Sequence, residues 1–232
     1  MTSVVHLGIQ GSYKSFEIAL FEGGDYVDLF VGDKVQASSN FVLSIEQLLK
    51  RNGKNISDVA FIAVDQGPGA FTSLRVIIST INGLAFDTNI KLIGIDGLDA
   101  LAQQALDNIN KRDNKDYLLV SLLNAYNHEV YYGVYDINGG ELAPRGPKGY
   151  KKVDVFLREL KELCDHNNKD CIFVGNGAEL HKDLITWEIM DLSVCSAKQV
   201  GEMGFNKWEK KVGVCSELKP LYLKSQTFAV RS

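Results

Sequence analysis

The segment Asp65 to Val76, DQGPGAFTSLRV, constrains the fold more than any other part of the chain. It follows the apolar run Val59-Ala60-Phe61-Ile62-Ala63-Val64 and leads into a helical pattern. A strand, a tight turn and the start of a helix are therefore compressed into one short stretch. Gly67 and Gly69 allow positive φ and close backbone approach, while Pro68 fixes the turn between them. Thr72 and Ser73 are expected to satisfy free amides in the helix's first turn. Such a turn either points bare N–H groups outward, where an anion or another protein docks, or simply connects two packed elements. The turn alone leaves both readings open.

The helix that follows narrows the choice. Leu74, Ile77, Ile78, Ile81, Leu84 and Ala85 recur at three- and four-residue spacing, so one side is expected to face a core. Thr72, Val76, Ser79 and Gly83 form a second stripe of mostly small side chains, against which another backbone can come close. A neighbouring helix of the same chain would fill that groove equally well. Only the combination with the Gly-Pro-Gly turn favours an intermolecular contact.

These residues carry a resemblance. Gly67 to Val76 resembles the GPGSFTGLRIG signature of the bacterial TsaB (YeaZ) family, whose members help make threonylcarbamoyladenosine in tRNA. Ile93 to Ala102, IGIDGLDALA, is similar to the family's strand-then-helix pattern IGVSSLEALA. Asn124 to Tyr131 stands where the family has DARxxEVY, Phe173 to Ala178 resembles its VGxGA, and Pro220 to Lys224 its C-terminal PxYLR. The blocks keep the family's order and span nearly the whole chain. The first is highly specific and the others are individually weak.

The resemblance implies an α/β fold, two-lobed and actin/hexokinase/Hsp70-like (ASKHA), with a mixed sheet flanked by helices in each lobe. Independently, the pattern of the chain gives strands over 4–10, 16–22 and 25–31, a helix over 41–51, a strand over 59–64, and the signature helix to about Phe86. A strand over 91–95 and a helix over 98–109 complete the first half. The polar run Asn110 to Asp116 is the expected lobe boundary, giving an N-terminal lobe over 1–112 and a C-terminal lobe over 113–232. Beyond it, strands over 117–123, 130–136 and 171–174 and helices over 153–164 and 196–208 partly repeat the order of the first half. Gly139 to Lys152 reads as an exposed loop with a ragged strand.

At 232 residues the chain is long enough to bury a substantial core, and its formal charge of −4 argues against gripping tRNA strongly through its own surface. No apolar run approaches the roughly 20 residues that span a bilayer, and the N-terminus lacks a signal-peptide pattern. Cys164, Cys171, Cys195 and Cys215 have no metal-ligand spacing and read as reduced thiols of a cytoplasmic protein.

An ATPase of this superfamily needs an acidic residue at the end of its first strand to hold a metal. Here Gln10 stands where the family commonly has Asp, and Asn124 replaces a second carboxylate at the matching place in the other half. A carboxamide is a poor ligand for Mg²⁺. Ala37-Ser38-Ser39-Asn40 occupies the site of a family His-Ser or His-Thr pair. His6, His128, His166 and His181 lie far apart in sequence, His166 and His181 are expected at the surface, and adjacent His128 and Glu129 would point to opposite strand faces. Tyr131 and Tyr135 are expected on one strand face and Tyr132 on the other, as packing residues rather than a base-stacking platform, with Tyr126 nearby.

What the resemblance implies is a non-catalytic scaffold that heterodimerises with TsaD, the catalytic paralogue, and to which TsaE can bind. Alone, the same surface would pair with a second copy as a homodimer. The expected partner interface comprises Phe41, Ile45 and Leu48 on one helix, and Gly67, Gly69, Thr72, Arg75, Val76, Ser79 and Gly83 on the signature segment. Arg75, the one charged residue in that segment's helical start, is expected to meet a carboxylate or phosphate across the interface, the alternative being a carbonyl of its own chain. No cofactor or metal is expected, and nucleotide at the partner interface is left open. The alternative reading is an ATP-dependent small-molecule kinase or ATP hydrolase of the same fold; a metallopeptidase is a further rival, for which no helix offers His-x-x-x-His.

Overall fold

The computed structural model describes residues 3–13, 15–109, 117–167 and 169–223. Continuous apolar runs set the sheet centres. Strand β1 (Val5–Gln10) is buried along its whole length, and β2 (Ser15–Glu22) and β3 (Asp25–Asp33) fold back on it antiparallel. Helix α1 (Lys34–Arg51) leads to β4 (Val59–Asp65), α2 (Phe71–Thr88), β5 (Lys91–Ile95) and α3 (Gly97–Ile109). The second half runs β6 (Tyr117–Asn124), β7 (Glu129–Asn138), β8 (Glu141–Pro144), β9 (Gly149–Lys152), α4 (Val153–Asn167) and β10 (Asp170–Val174). It ends with α5 (Asn176–Leu180), β11 (Glu188–Ile189), α6 (Ala197–Glu209) and β12 (Val214–Cys215).

Two mixed sheets result, flanked by helices as expected. The first has the order β12-β5-β4-β1-β2-β3 and the second β11-β10-β6-β7-β8, with β9 also on β7. In each, a three-stranded antiparallel meander is extended by two parallel strands on the far side of its first strand. The two halves therefore share one topology, and β1 and β6 hold equivalent central places. A single core cluster joins them, with Leu98, Leu101 and Ala105 of α3 packed among Leu119, Leu123, Ile172 and Val174 of the second sheet. Lys148 adds a polar pin: its Nζ lies 2.5 Å from Asp96 Oδ2 and 2.6 Å from Asp99 Oδ2, while the Tyr135 hydroxyl donates to Asp99 Oδ1 at 2.9 Å.

The structure departs from the sequence expectations in several places. Residues 139–152 form two short strands on the outer edge of β7 rather than a loop, because a paired edge supplies the register that their weak periodicity lacks. Helix α1 begins at Lys34, since the polar stretch before Phe41 contains neither Gly nor Pro to stop it. The lobes are not contiguous at 112/113: α6 packs across the first sheet and β12 pairs with β5, so the chain's end returns to the first lobe. Glycines permit that return. A Cβ on Gly8 would lie 2.3 Å from the Ala197 carbonyl oxygen, and one on Gly204 would lie 2.3 Å from Ala63 Cβ. The boundary run Asn110 to Asp116 falls outside the described residues. Among the described residues no helix is long and apolar enough to cross a membrane.

Candidate partner-binding face and interlobe cleft

The Gly-Pro-Gly turn is committed to its own chain. The Gly67 amide donates to Asp65 Oδ1 at 2.8 Å, the Gly97 amide donates to the Gly67 carbonyl at 2.7 Å, and the Ala70 amide donates to the Ser12 carbonyl at 3.0 Å. Gly67 has φ +95°, and a Cβ there would lie 2.6 Å from Leu74 Cδ1, so only glycine fits. Gly67 is buried and Gly69 half-buried against Ser12. Both were expected at the interface; they shape the turn that aims α2 and offer little surface themselves. Nor do Thr72 and Ser73 cap the helix: Ala70 is the N-cap without a side-chain bond, and Ser73 Oγ is buried with no partner. Burial pushes the Asp65 carboxyl up to about 6, with nearby Asp96 adding to the effect and the Gly67 amide and Ser12 opposing it.

Helix α2 divides as its periodicity requires. Leu74, Ile77, Ile78, Ile81 and Ala85 are buried, and Leu84 packs half-buried beside them. Each fully buried Leu or Ile contributes about 1.5–3 kcal/mol. The opposite face exposes Thr72, Arg75, Ser79 and Gly83, with Val76 half-buried. At its start the Arg75 guanidinium lies 3.7 Å from the Phe71 ring centroid and its Nε donates to the Tyr222 hydroxyl at 3.3 Å. Arg75 thus meets neither a carbonyl nor, among the described residues, a carboxylate of its own chain. Its aromatic neighbours were not foreseen. Tyr222 arrives because residues 218–221 are strapped beside α2: Asn82 exchanges two bonds of 2.9 Å with Leu218, and Gln66 bonds Lys219 at 2.7 Å and Leu221 at 2.8 Å.

Gly83 is the odd residue of this face. It sits in the helix interior without positive φ, and a Cβ would meet nothing within 4 Å. Alanine there would favour the helix by about 0.8–1.0 kcal/mol. Among the described residues, packing gives no reason for a bare backbone at this point. One turn on, Phe86 is 89% exposed.

Helix α1 lies beside α2, but not with the residues expected to meet a partner. Phe41 (2% exposed), Ile45 (2%) and Leu48 (0%) point into the first lobe's core, because they form the apolar stripe that must cover the sheet. The surface that α1 offers is Val42 and Leu43 instead. Between the two helices runs an apolar groove of about 210 Å³, lined by Val42, Leu49, Ile56 and Leu84 and edged by Lys50 and Lys54.

The ends of β1 and β6 meet across a cleft of about 860 Å³ lined by Gln10, Tyr13, Asp33, Asn124, Tyr126, Asn176 and Glu179 among others. Gln10 Nε2 donates to Ser12 Oγ at 3.0 Å, and Asn124 Oδ1 accepts the Tyr126 amide at 2.8 Å. The Asn124 amide donates to Asn176 Oδ1 at 2.9 Å, and the Tyr13 hydroxyl to the Asn124 carbonyl at 3.1 Å. Both strand ends therefore present carboxamides already engaged by neighbours. Among the described residues no group of three or more His, Cys, Asp or Glu could hold a metal.

The other sequence candidates fall as follows. Tyr135 and Tyr131 pack toward the interlobe core while Tyr132 stacks on Phe156 at 4.7 Å, as strand alternation required. His6 is wholly buried between Phe21 (4.6 Å) and Phe61 (4.5 Å). His181 is buried rather than at the surface, and its ring lies 6.2 Å from that of His128 despite their separation in sequence. His128 belongs to a turn, not a strand: Tyr126, Asn127 and His128 have φ of 62°, 52° and 59°. The Cys164 and Cys171 thiols touch at 3.0 Å.

Residues 35–220 match the family described as "TsaD: tRNA N6-adenosine threonylcarbamoyltransferase". The chain is 26% identical over 172 residues to the tRNA threonylcarbamoyladenosine biosynthesis protein TsaB of Bacillus subtilis, covering 72% of this chain and 70% of that protein. It is 27% identical over 183 residues to the Escherichia coli protein of the same name, covering 77% of this chain and 74% of that one. The solved structure of YeaZ from Pseudomonas aeruginosa matches with a TM-score of 0.73 at 22% identity, over 96% of this chain and 100% of that chain. At that identity the likeness is one of fold.

Proposed function

The chain belongs to the TsaB (YeaZ) family, within the wider TsaD family, and we propose that it serves tRNA threonylcarbamoyladenosine biosynthesis as a non-catalytic subunit of TsaD. The observation that carries this reading is the outer face of α2. A helix-interior glycine with open space around its Cβ, flanked by an exposed Phe71–Arg75–Tyr222 cluster and Phe86, is surface that packing among the described residues does not explain. Aromatic residues and arginine are the side chains that dominate protein interfaces. The partner backbone approaches at Gly83 and Ser79, while Arg75, held by its aromatic neighbours, offers its remaining N–H groups to an acceptor on TsaD. Val42 and Leu43 of α1 extend the contact.

In the same reading TsaE binds the assembled pair, a second copy of this chain occupies the face when TsaD is absent, and the setting is the cytoplasm. Strong tRNA binding is assigned to TsaD, since a net charge of −4 gives this chain little electrostatic hold on phosphate. Gln10 and Asn124 support a non-catalytic role, because neither strand end offers the charged oxygen that Mg²⁺ prefers. The cleft's volume favours a competing reading, an ATP-dependent kinase or hydrolase. Incubation with Mg-ATP and analysis for ADP separates the two: no turnover above a heat-denatured control is expected, and steady release would replace the scaffold reading.

A further inference from the structure

We propose that His128 and His181 form a two-imidazole site for a divalent transition-metal ion of the zinc, nickel or copper kind, at the rim of the interlobe cleft on the second lobe. His181 follows the short helix α5, and His128 ends the three-residue left-handed turn between β6 and β7. Their close neighbours in sequence, Glu179, Leu180 and Tyr126, line the cleft.

His181 is only 9% exposed, and its Nε2 is buried with no hydrogen-bond partner among the described residues. Leaving such a nitrogen unsatisfied costs about 1–3 kcal/mol, so an occupant is called for. The group beside it is another imidazole, that of exposed His128. Metal–nitrogen bonds of about 2.0–2.1 Å place two ligating nitrogens no more than about 4 Å apart. Rings whose centroids are 6.2 Å apart reach that separation when their nitrogens face each other.

The ligand type selects the ion. Imidazole suits zinc, copper and nickel, whereas magnesium and calcium require oxygen donors. No third His, Cys, Asp or Glu among the described residues completes the set, so water fills the remaining positions and the ion is exchangeable. The strain of three non-glycine residues in left-handed conformations fits a turn shaped to present His128.

The test uses the full chain without an affinity tag, titrated calorimetrically with ZnCl₂ at pH 7.5, and with CuSO₄ under electron paramagnetic resonance. One saturable equivalent of zinc and a nitrogen-ligated copper signal are expected. His128→Asn, which suits the left-handed backbone, and His181→Ala are each expected to weaken zinc at least tenfold, the lower end for disturbing even a supporting residue. His128→Asn removes a side chain the core does not use, so its result stands even if His181→Ala folds poorly. His166→Ala is expected to bind like the parent. A flat titration, as an ordered water on Nε2 would give, overturns the proposal; so does binding that persists at parental strength in His128→Asn.

Discussion

The guanidinium of Arg75 lies 3.7 Å from the centre of the Phe71 ring, one turn before it on the same helix. This contact fixes a long, flexible cation in place at the surface, with Tyr222 accepting its Nε hydrogen bond on the other side. A pre-ordered arginine loses less entropy on binding than a free one. The contact is exposed and adds little to the stability of the chain itself, so under the proposed function its value lies in recognition.

Arg75→Glu is therefore expected to leave the denaturation midpoint nearly unchanged, within about 0.5 kcal/mol, since nothing in the core depends on it. The same change reverses the charge at the proposed contact. It should weaken association with TsaD by about 2 kcal/mol or more, roughly thirtyfold, measured by titration calorimetry with both proteins purified.

Phe41→Ala should do the opposite. Phe41 is buried against Phe16, with ring centroids 5.1 Å apart, and its truncation leaves a cavity in the first lobe. A loss of about 3–5 kcal/mol is expected in urea denaturation. Partner affinity, measured on the folded fraction, should stay within a few-fold of the parent.

Gly83→Ala separates the two roles of one position. With nothing within 4 Å of the added methyl, the helix gains about 0.8–1.0 kcal/mol. Thermal melting should rise while association with TsaD falls, because the proposed contact brings the partner's backbone closest at that bare position. A rise in both would remove Gly83 from the interface.

Stability across pH tests two buried ionisable groups of opposite sign. Asp65 is raised from 3.8 to about 6, so the folded chain holds the extra proton between those values and stability falls as pH climbs through them. His6, lowered by burial from 6.5 to about 4, makes stability rise with pH over nearly the same window. The two slopes offset each other. Asp65→Asn keeps an acceptor for the Gly67 amide and removes the first slope, so its stability relative to the parent should improve by about 2 kcal/mol between pH 4 and pH 7. Urea midpoints at the two values measure it.

Much of the fold was legible because periodicity reports burial directly. The inward stripe of α2, the alternation of Tyr131, Tyr132 and Tyr135, and strand β5 all followed from spacing. Position in space was not. Phe41, Ile45 and Leu48 carry the same apolar signal whether a stripe covers its own sheet or another chain, and here the sheet takes them. The role of the Gly-Pro-Gly turn was open for a similar reason: the Gly67 amide turns in to Asp65, while Gly97 and Ser12, which reach the turn from elsewhere in the chain, engage the Gly67 carbonyl and the Ala70 amide. Long-range pairings left no local trace: the return of α6 and β12 to the first sheet, the arrival of Tyr222 beside Arg75, and the meeting of His128 with His181. The stripe Thr72, Val76, Ser79 and Gly83 of α2 was visible in the sequence, and all but half-buried Val76 are exposed.

The most direct measurement is light scattering on a sizing column, with this chain mixed with TsaD from the same cell at micromolar concentration. The parent is predicted to elute as a 1:1 complex, and Gly83→Trp, whose Cβ meets nothing within 4 Å among the described residues, to elute separately while remaining folded. Separate elution of the parent and TsaD, or a complex that Gly83→Trp leaves intact, would contradict the assignment of the α2 face.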